Sequence, residues 1–85
     1  MSKVLIYTPS DFACPYCKQA KAMLERRGVH FEEVQLASNE EEKWAELTKR
    51  SGMQTVPQIF YEQRLIGGYS ELAELDKKDQ LQSLK

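Results

Sequence analysis

The chain has 85 residues, 41% of them apolar and 29% charged, and its 12 Lys and Arg against 13 Asp and Glu leave a formal net charge of -1. A chain this short builds one modest core, burying about two thirds of its unfolded surface, so a single domain over residues 1–85 is expected. The composition excludes a disordered chain. The basic residues are scattered rather than gathered on one face, which argues against nucleic acid as a partner. The longest apolar run, residues 4–7, falls far short of the roughly 20 residues needed to cross a bilayer and is too short for a secretory core, so no membrane association is expected and the sequence reads as cytoplasmic.

Residues 3–8 are β-branched, apolar or aromatic and are closed by Pro9, the pattern of a central strand buried on both faces. Residues 14–27 are good helix formers, with Pro15 where a first turn tolerates it and Gly28 as a stop; Cys17, Ala20, Met23 and Leu24 fall on an inward face. Residues 31–36 alternate imperfectly as a short strand. Ser38-Asn39-Glu40-Glu41 reads as a capping box for a helix that ends at Ser51-Gly52 and turns Trp44, Leu47 and Thr48 inward.

Residues 55–61 and Leu65-Ile66 flank the polar Glu62-Gln63-Arg64 as a hairpin, ended by Gly67-Gly68. Ser70 is placed to cap a last helix carrying Leu72 and Leu75, which is expected to break at residues 76–80 and restart toward Leu81. The order is βαβαββα. A helix between the first two strands requires a parallel pair, and the tight connection near Gln63 an antiparallel one, so the fold class is α/β with a mixed four-stranded sheet flanked by helices.

The chemistry centres on Cys14-Pro15-Tyr16-Cys17, which holds both cysteines of the chain. Residues i and i+3 share a helix face, so the two sulfurs can close reversibly into a disulfide. Cys14, at the helix start, lies beside unpaired amides and the positive end of the helix dipole, which favour the thiolate; it is the expected nucleophile. Cys17, one turn in on the packed face, is the expected resolving thiol. Pro15 stiffens the turn, Tyr16 offers an aromatic wall, and Lys18 adds positive charge nearby. The alternatives are a zinc half-site or two idle buried cysteines. Zinc needs four ligands, whereas the chain has one histidine, His30, beyond the far end of the helix and without an expected catalytic duty.

Two further features stand beside the cysteines. Thr55-Val56-Pro57 opens an apolar strand with an X-Pro bond that the sequence leaves open between cis and trans. Gly67-Gly68-Tyr69-Ser70 permits close backbone approach and a helix start able to hold a carboxylate, or is a plain turn with an ordinary cap.

Taken together, Cys14-Pro15-Tyr16-Cys17, Thr55-Val56-Pro57-Gln58-Ile59-Phe60 and Ile66-Gly67-Gly68-Tyr69-Ser70-Glu71-Leu72 resemble the dithiol glutaredoxins of bacterial type across nearly the whole chain. The resemblance implies a thioredoxin-like fold with Pro57 cis and facing the cysteines. It also implies a thiol-disulfide oxidoreductase with no tightly bound cofactor and with glutathione as co-substrate. Glutathione would pair its main chain with Val56, set its γ-glutamyl carboxylate at Gly68, Tyr69 and Ser70, and lie between Thr55 and Tyr16. Its implied partners are disulfide-containing or glutathionylated proteins and, through glutathione, glutathione reductase, with a monomer as the default state.

Two departures from the family pattern affect the glycine carboxylate of glutathione. The loop Pro9-Ser10-Asp11-Phe12-Ala13 is longer than in many relatives and lacks their lysine, and Met53 stands where several carry a basic residue. That carboxylate is left to Gln54, Lys18, Lys49 or water, and weaker glutathione binding is expected. Phe12 is expected either exposed at the rim or folded back onto Tyr7 or Tyr16. Two rival readings are a glutaredoxin-shaped electron donor reduced by a flavoprotein reductase, and an iron-sulfur module using one cysteine per subunit with glutathione.

Overall fold

The computed structural model describes residues 3–53 and 55–84. Strand β1 (Val4–Pro9) leads into helix α1 (Pro15–Arg26), strand β2 (Phe31–Leu36), helix α2 (Glu41–Ser51), the hairpin β3 (Gln58–Tyr61) and β4 (Arg64–Gly67), helix α3 (Tyr69–Lys77) and a final 3-10 turn (Leu81–Leu84). The sheet order is β2-β1-β3-β4. The crossover through α1 makes β1 and β2 parallel, with Val4 opposite Phe31 and Pro9 opposite Leu36, while β3 runs antiparallel to both β1 and β4. The apolar β1 is therefore internal, as its composition requires.

Alternation along β1 divides the core in two. Val4 and Ile6 face α1 and α3, where they meet Ala20, Leu24, Ile59 and Leu72, all fully buried. Leu5 and Tyr7 face α2 on the other side with Leu47, Phe60 and the half-buried Trp44. Arg50 closes that second layer, its guanidinium 5.1 Å from the centre of the Phe60 ring. The helices cover both faces of the sheet, which is the architecture expected from the element order.

Several local details differ from the sequence expectation. Helix α2 has Glu40, not Ser38, at its cap position, and Glu40 makes no side-chain capping bond to the helix backbone. Ser38 instead turns away to Asp11: its amide and hydroxyl donate to the Asp11 carboxylate at 2.9 and 2.7 Å. The acidic side chain of Glu40 accepts from Lys43 at 2.7 Å and from the Ala37 amide at 3.0 Å, and those bonds, Lys43 foremost, lower the pKa of its carboxyl. Strand β3 begins at Gln58, so Thr55, Val56 and Pro57 form a bend before the strand rather than its first residues. Helix α3 is capped by Gly68, which places Ser70 inside the first turn. The break after α3 falls where expected and restarts at Leu81.

The hairpin turn consists of Glu62 and Gln63, both with positive φ, 49° and 71°. Two left-handed residues define the type I′ geometry that matches strand twist, here built without the usual Asn-Gly. One residue, Ile66, is extra in β4 between the pairs Ile59–Gly67 and Phe60–Leu65, a bulge that bends the strand end toward α3.

Candidate active site

The C-terminal end of β1 and the start of α1 bring the cysteine pair to one edge of the sheet. Cys14 is the cap residue of α1 and Pro15 its first helical residue. Cys14 and Cys17 form a disulfide with Cα atoms 5.2 Å apart. The two are unequal: Cys17 is 3% exposed within the core, whereas Cys14 is half-buried at the helix tip. The Cys17 amide donates to Cys14 Sγ at 3.2 Å and also approaches the Cys14 carbonyl at 3.1 Å. The Cys17 amide and the positive end of the helix dipole thus meet at the outer sulfur, stabilising negative charge there.

Beside Cys14 lies a groove of about 360 Å³. One wall is Tyr16, 59% exposed, its ring 5.5 Å from that of Tyr69. The floor is the bend of Thr55, Val56 and Pro57, with the Val56-Pro57 bond cis and Pro57 buried. The far wall is Gly68, Tyr69 and Ser70 at the start of α3. All seven residues singled out around the cysteines therefore line one cleft, although they come from three separate parts of the chain.

Close packing between the bend and α3 depends on glycine. A Cβ at Gly68 would lie 3.3 Å from the Pro57 carbonyl oxygen, and one at Gly67, where φ is 130°, would lie 2.5 Å from Glu71 Oε1. The Glu71 carboxylate accepts from the Gly68 amide at 2.7 Å, fixing the first turn, while the next amides of α3 have no acceptor within the helix. Met53 and Glu71 complete the lining.

Gln58 also positions the groove, a role outside the expectations drawn from the sequence. It is fully buried, and its amide donates to the carbonyls of Met53 and Thr55 at 3.0 and 2.8 Å, fastening the bend to the first residue of β3. The available signal was a lone amide in an otherwise apolar strand, since a buried polar side chain needs partners.

On the α1 side of the sheet, the buried Thr8 hydroxyl and Lys21 donate to Glu33 at 2.7 and 2.8 Å. Lys21 first and Thr8 second hold the Glu33 carboxyl below its ordinary value. His30 is exposed before β2, at the sheet end opposite the cysteines. Among the described residues no cluster of three or more His, Cys, Asp or Glu is placed to hold a metal ion. Gln54, one of the groups considered for the glycine carboxylate, lies outside the described residues. Phe12 folds onto neither Tyr7 nor Tyr16, whose rings pair with Phe60 and Tyr69, and stands 49% exposed.

A buried and an accessible cysteine across one helical turn, beside a cis-proline bend, define a thioredoxin-like dithiol-disulfide site. The Glutaredoxin family model matches residues 4–66. The chain is 44% identical over 84 residues to Glutaredoxin 3 of Escherichia coli K12, covering 99% of this chain and 98% of that protein. It is 39% identical to a glutaredoxin of Pseudomonas aeruginosa over 99% and 96% of the two chains. Among solved structures, the glutaredoxin of Brucella melitensis superposes with a TM-score of 0.79 at 44% identity, covering 99% of this chain and 88% of that one. A buckwheat glutaredoxin solved in complex with glutathione shares the fold, with a TM-score of 0.84 at 21% identity over 96% and 74% of the chains. The chain belongs to the glutaredoxin family of thiol-disulfide oxidoreductases.

Proposed function

We propose that the chain reduces glutathione mixed disulfides and protein disulfides in the cytoplasm, as a monomer, with glutathione as the electron donor. The observation that carries this reading is the unequal Cys14–Cys17 pair whose own turn lends Tyr16 to one cleft lined also by Thr55, Val56, Pro57, Gly68, Tyr69 and Ser70. The complex of the buckwheat relative with glutathione supports the choice of donor.

In a glutathione mixed disulfide, the Cys14 thiolate attacks the glutathione sulfur. A Cys14–glutathione disulfide forms as the protein–glutathione bond breaks, and the departing protein thiolate takes a proton. A second glutathione thiolate then attacks the glutathione sulfur, releasing glutathione disulfide and restoring Cys14. With a protein disulfide, Cys14 forms the mixed disulfide and Cys17 attacks Cys14 Sγ, freeing the reduced substrate and closing the Cys14–Cys17 bond, which two glutathione molecules reopen. The burial of Cys17 keeps it from external disulfides while leaving it within reach of Cys14.

Glutathione has the chemistry that the cleft complements. Its extended main chain pairs with Val56, and its γ-glutamyl carboxylate meets the first-turn amides at Gly68, Tyr69 and Ser70. The adjacent ammonium group faces the Glu71 carboxylate. Glutaredoxin potentials of roughly -200 to -230 mV overlap the glutathione poise of the cytosol, so the glutathione ratio, maintained by glutathione reductase, sets the direction of flux.

The test is reduction of a small mixed disulfide coupled to glutathione, glutathione reductase and NADPH. Cys14→Ser is expected to be inactive and Cys17→Ser to keep the mixed-disulfide reaction while losing reduction of protein disulfides. Turnover by a flavoprotein reductase without glutathione would refute the assignment.

A further inference from the structure

A second groove, of about 650 Å³, is lined by Phe12, Ser38, Glu41, Trp44, Ala45 and Thr48. It is separate from the glutathione cleft and shares no lining residue with it. Phe12 is two residues from Cys14, so their Cα atoms lie within about 7.6 Å, twice the span of one trans peptide unit. The groove therefore runs between the loop that leads into Cys14 and helix α2.

Its shape is held by two clamps. Asp11 receives the Ser38 amide and hydroxyl, tying the loop before Cys14 to the turn before α2. The Trp44 indole donates to the Ala37 carbonyl at 2.8 Å, which fixes the ring on the opposite side. An exposed Phe12 and a half-buried Trp44 thus face a common hollow lined also by the exposed Glu41, and the exposed Asp11 precedes Phe12 in the chain and is bonded to the lining residue Ser38. A half-exposed aromatic on a loop secured this way incurs little ordering cost when it is covered.

We propose that the Phe12–Trp44 groove receives the polypeptide part of a disulfide substrate, specifically an extended segment with an apolar side chain and a lysine or arginine beside its reactive cysteine. The proposal rests on the reading of the first cleft as the glutathione site. With glutathione seated there, the polypeptide half of a mixed disulfide must leave Cys14 along another direction, and this groove borders the loop that leads into that residue. The apolar walls fit the side chain, and the acidic Glu41 fits a cation rather than an anion.

Two S-glutathionylated hexapeptides test it, one with Leu and Lys flanking the cysteine and one with Ser and Glu, alongside a small mixed disulfide. Wild type is expected to reduce the first with about tenfold higher kcat/KM than the second, a ratio equal to about 1.4 kcal/mol. Phe12→Ser should erase most of that preference and leave the small substrate unchanged. Glu41→Lys should shift preference toward the acidic peptide. Equal rates on both peptides, or equal losses on all substrates, would overturn the proposal.

Trp44, the only tryptophan, supplies a readout that does not depend on turnover. Its fluorescence should change saturably on titration with the Leu-Lys peptide carrying Ser for Cys, and this response should be weakened by Phe12→Ser. Such a response in a protein inactive with glutathione would overturn the glutathione reading and leave the groove standing. No response would overturn the groove. A change in Trp44 emission with protein concentration alone, removed by Phe12→Ser, would show that the occupant is a second copy of the chain and would also overturn it.

Discussion

The backbone amide of Cys17 donates to the sulfur of Cys14 at 3.2 Å, so the inner cysteine of the pair stabilises negative charge on the outer one. The same helical turn places Cys17 in the core and Cys14 at the surface. In the reduced protein, alkylation by iodoacetamide at neutral pH is expected at Cys14 and not at Cys17. Mass spectrometry of the digested protein after brief exposure measures the ratio, and comparable labelling of both residues would contradict the division of roles.

Gly67→Ala should damage the cleft without touching a cysteine. The added methyl would meet Glu71 at 2.5 Å, in a backbone conformation with φ of 130° that L residues rarely adopt. Glu71 would have to give up the Gly68 amide, loosening the start of α3. A destabilisation of about 1–3 kcal/mol is expected from the backbone conformation. A rise in the KM for glutathione, exceeding any fall in kcat, is also expected. Urea unfolding and steady-state kinetics separate the two effects.

Gln63→Gly should stabilise the fold. Glu62 and Gln63 both occupy left-handed conformations in the β3–β4 turn, at about 1–2 kcal/mol for a residue with a Cβ. Glycine removes that cost at position 63 but has more freedom in the unfolded chain, worth about 0.4–1 kcal/mol. The net gain is about 0.5–1 kcal/mol, or an increase in Tm of roughly 2–8 °C for a domain of this size. A lower Tm in calorimetry would count against the turn assignment.

Glu33 ties stability to acid pH. Lys21, the larger influence, and Thr8 hold its carboxyl below the ordinary value of 4.5, so the folded state binds its proton less readily than the unfolded chain. The resulting stabilisation is present above that value and is lost as pH falls through the lower folded pKa. Glu33→Gln should therefore flatten the acid limb of the Tm profile, narrowing the gap from wild type as pH drops below 4.5. Parallel acid limbs for the two proteins would remove Glu33 from the account.

Met53→Lys should tighten glutathione binding. Met53 lines the cleft, with its methyl group 3.5 Å from where a Cβ on Gly68 would stand. An ammonium there offers the glycine carboxylate the charge that the sequence lacks. A partly exposed pair of this kind is worth about 0.2–1 kcal/mol, so KM should fall up to about fivefold, less at high salt. An unchanged KM at low ionic strength would place the glycine carboxylate elsewhere.

The parts legible in the sequence are those governed by neighbours along the chain. The i, i+3 spacing of Cys14 and Cys17, the inward face of Cys17, Ala20, Met23 and Leu24, and the apolar run of β1 follow from helix and strand periods alone. The parallel β1–β2 pair follows from the intervening helix. The family resemblance rested on motifs of the same local kind, and it brought together residues that the spacing could not.

The tertiary structure decided what depends on distant partners. Ser38 had a local role open to it as a helix cap, but Asp11, 27 positions away, supplied a better partner and drew it off. Ser70 gave way as cap to Gly68, whose lack of a Cβ allows α3 to approach the Pro57 carbonyl. The isomer at Val56-Pro57, open in the sequence, is cis in the fold. Gln58 acquired its function only when two carbonyls of the preceding bend came within reach of a buried amide. Phe12 and Trp44 carry no joint signal in the sequence, because a surface hollow is a property of loops brought together rather than of any period within them. Sequence alone determined the cysteine pair and its unequal placement through local helix geometry; the packing of three remote segments decided which cleft stands beside it.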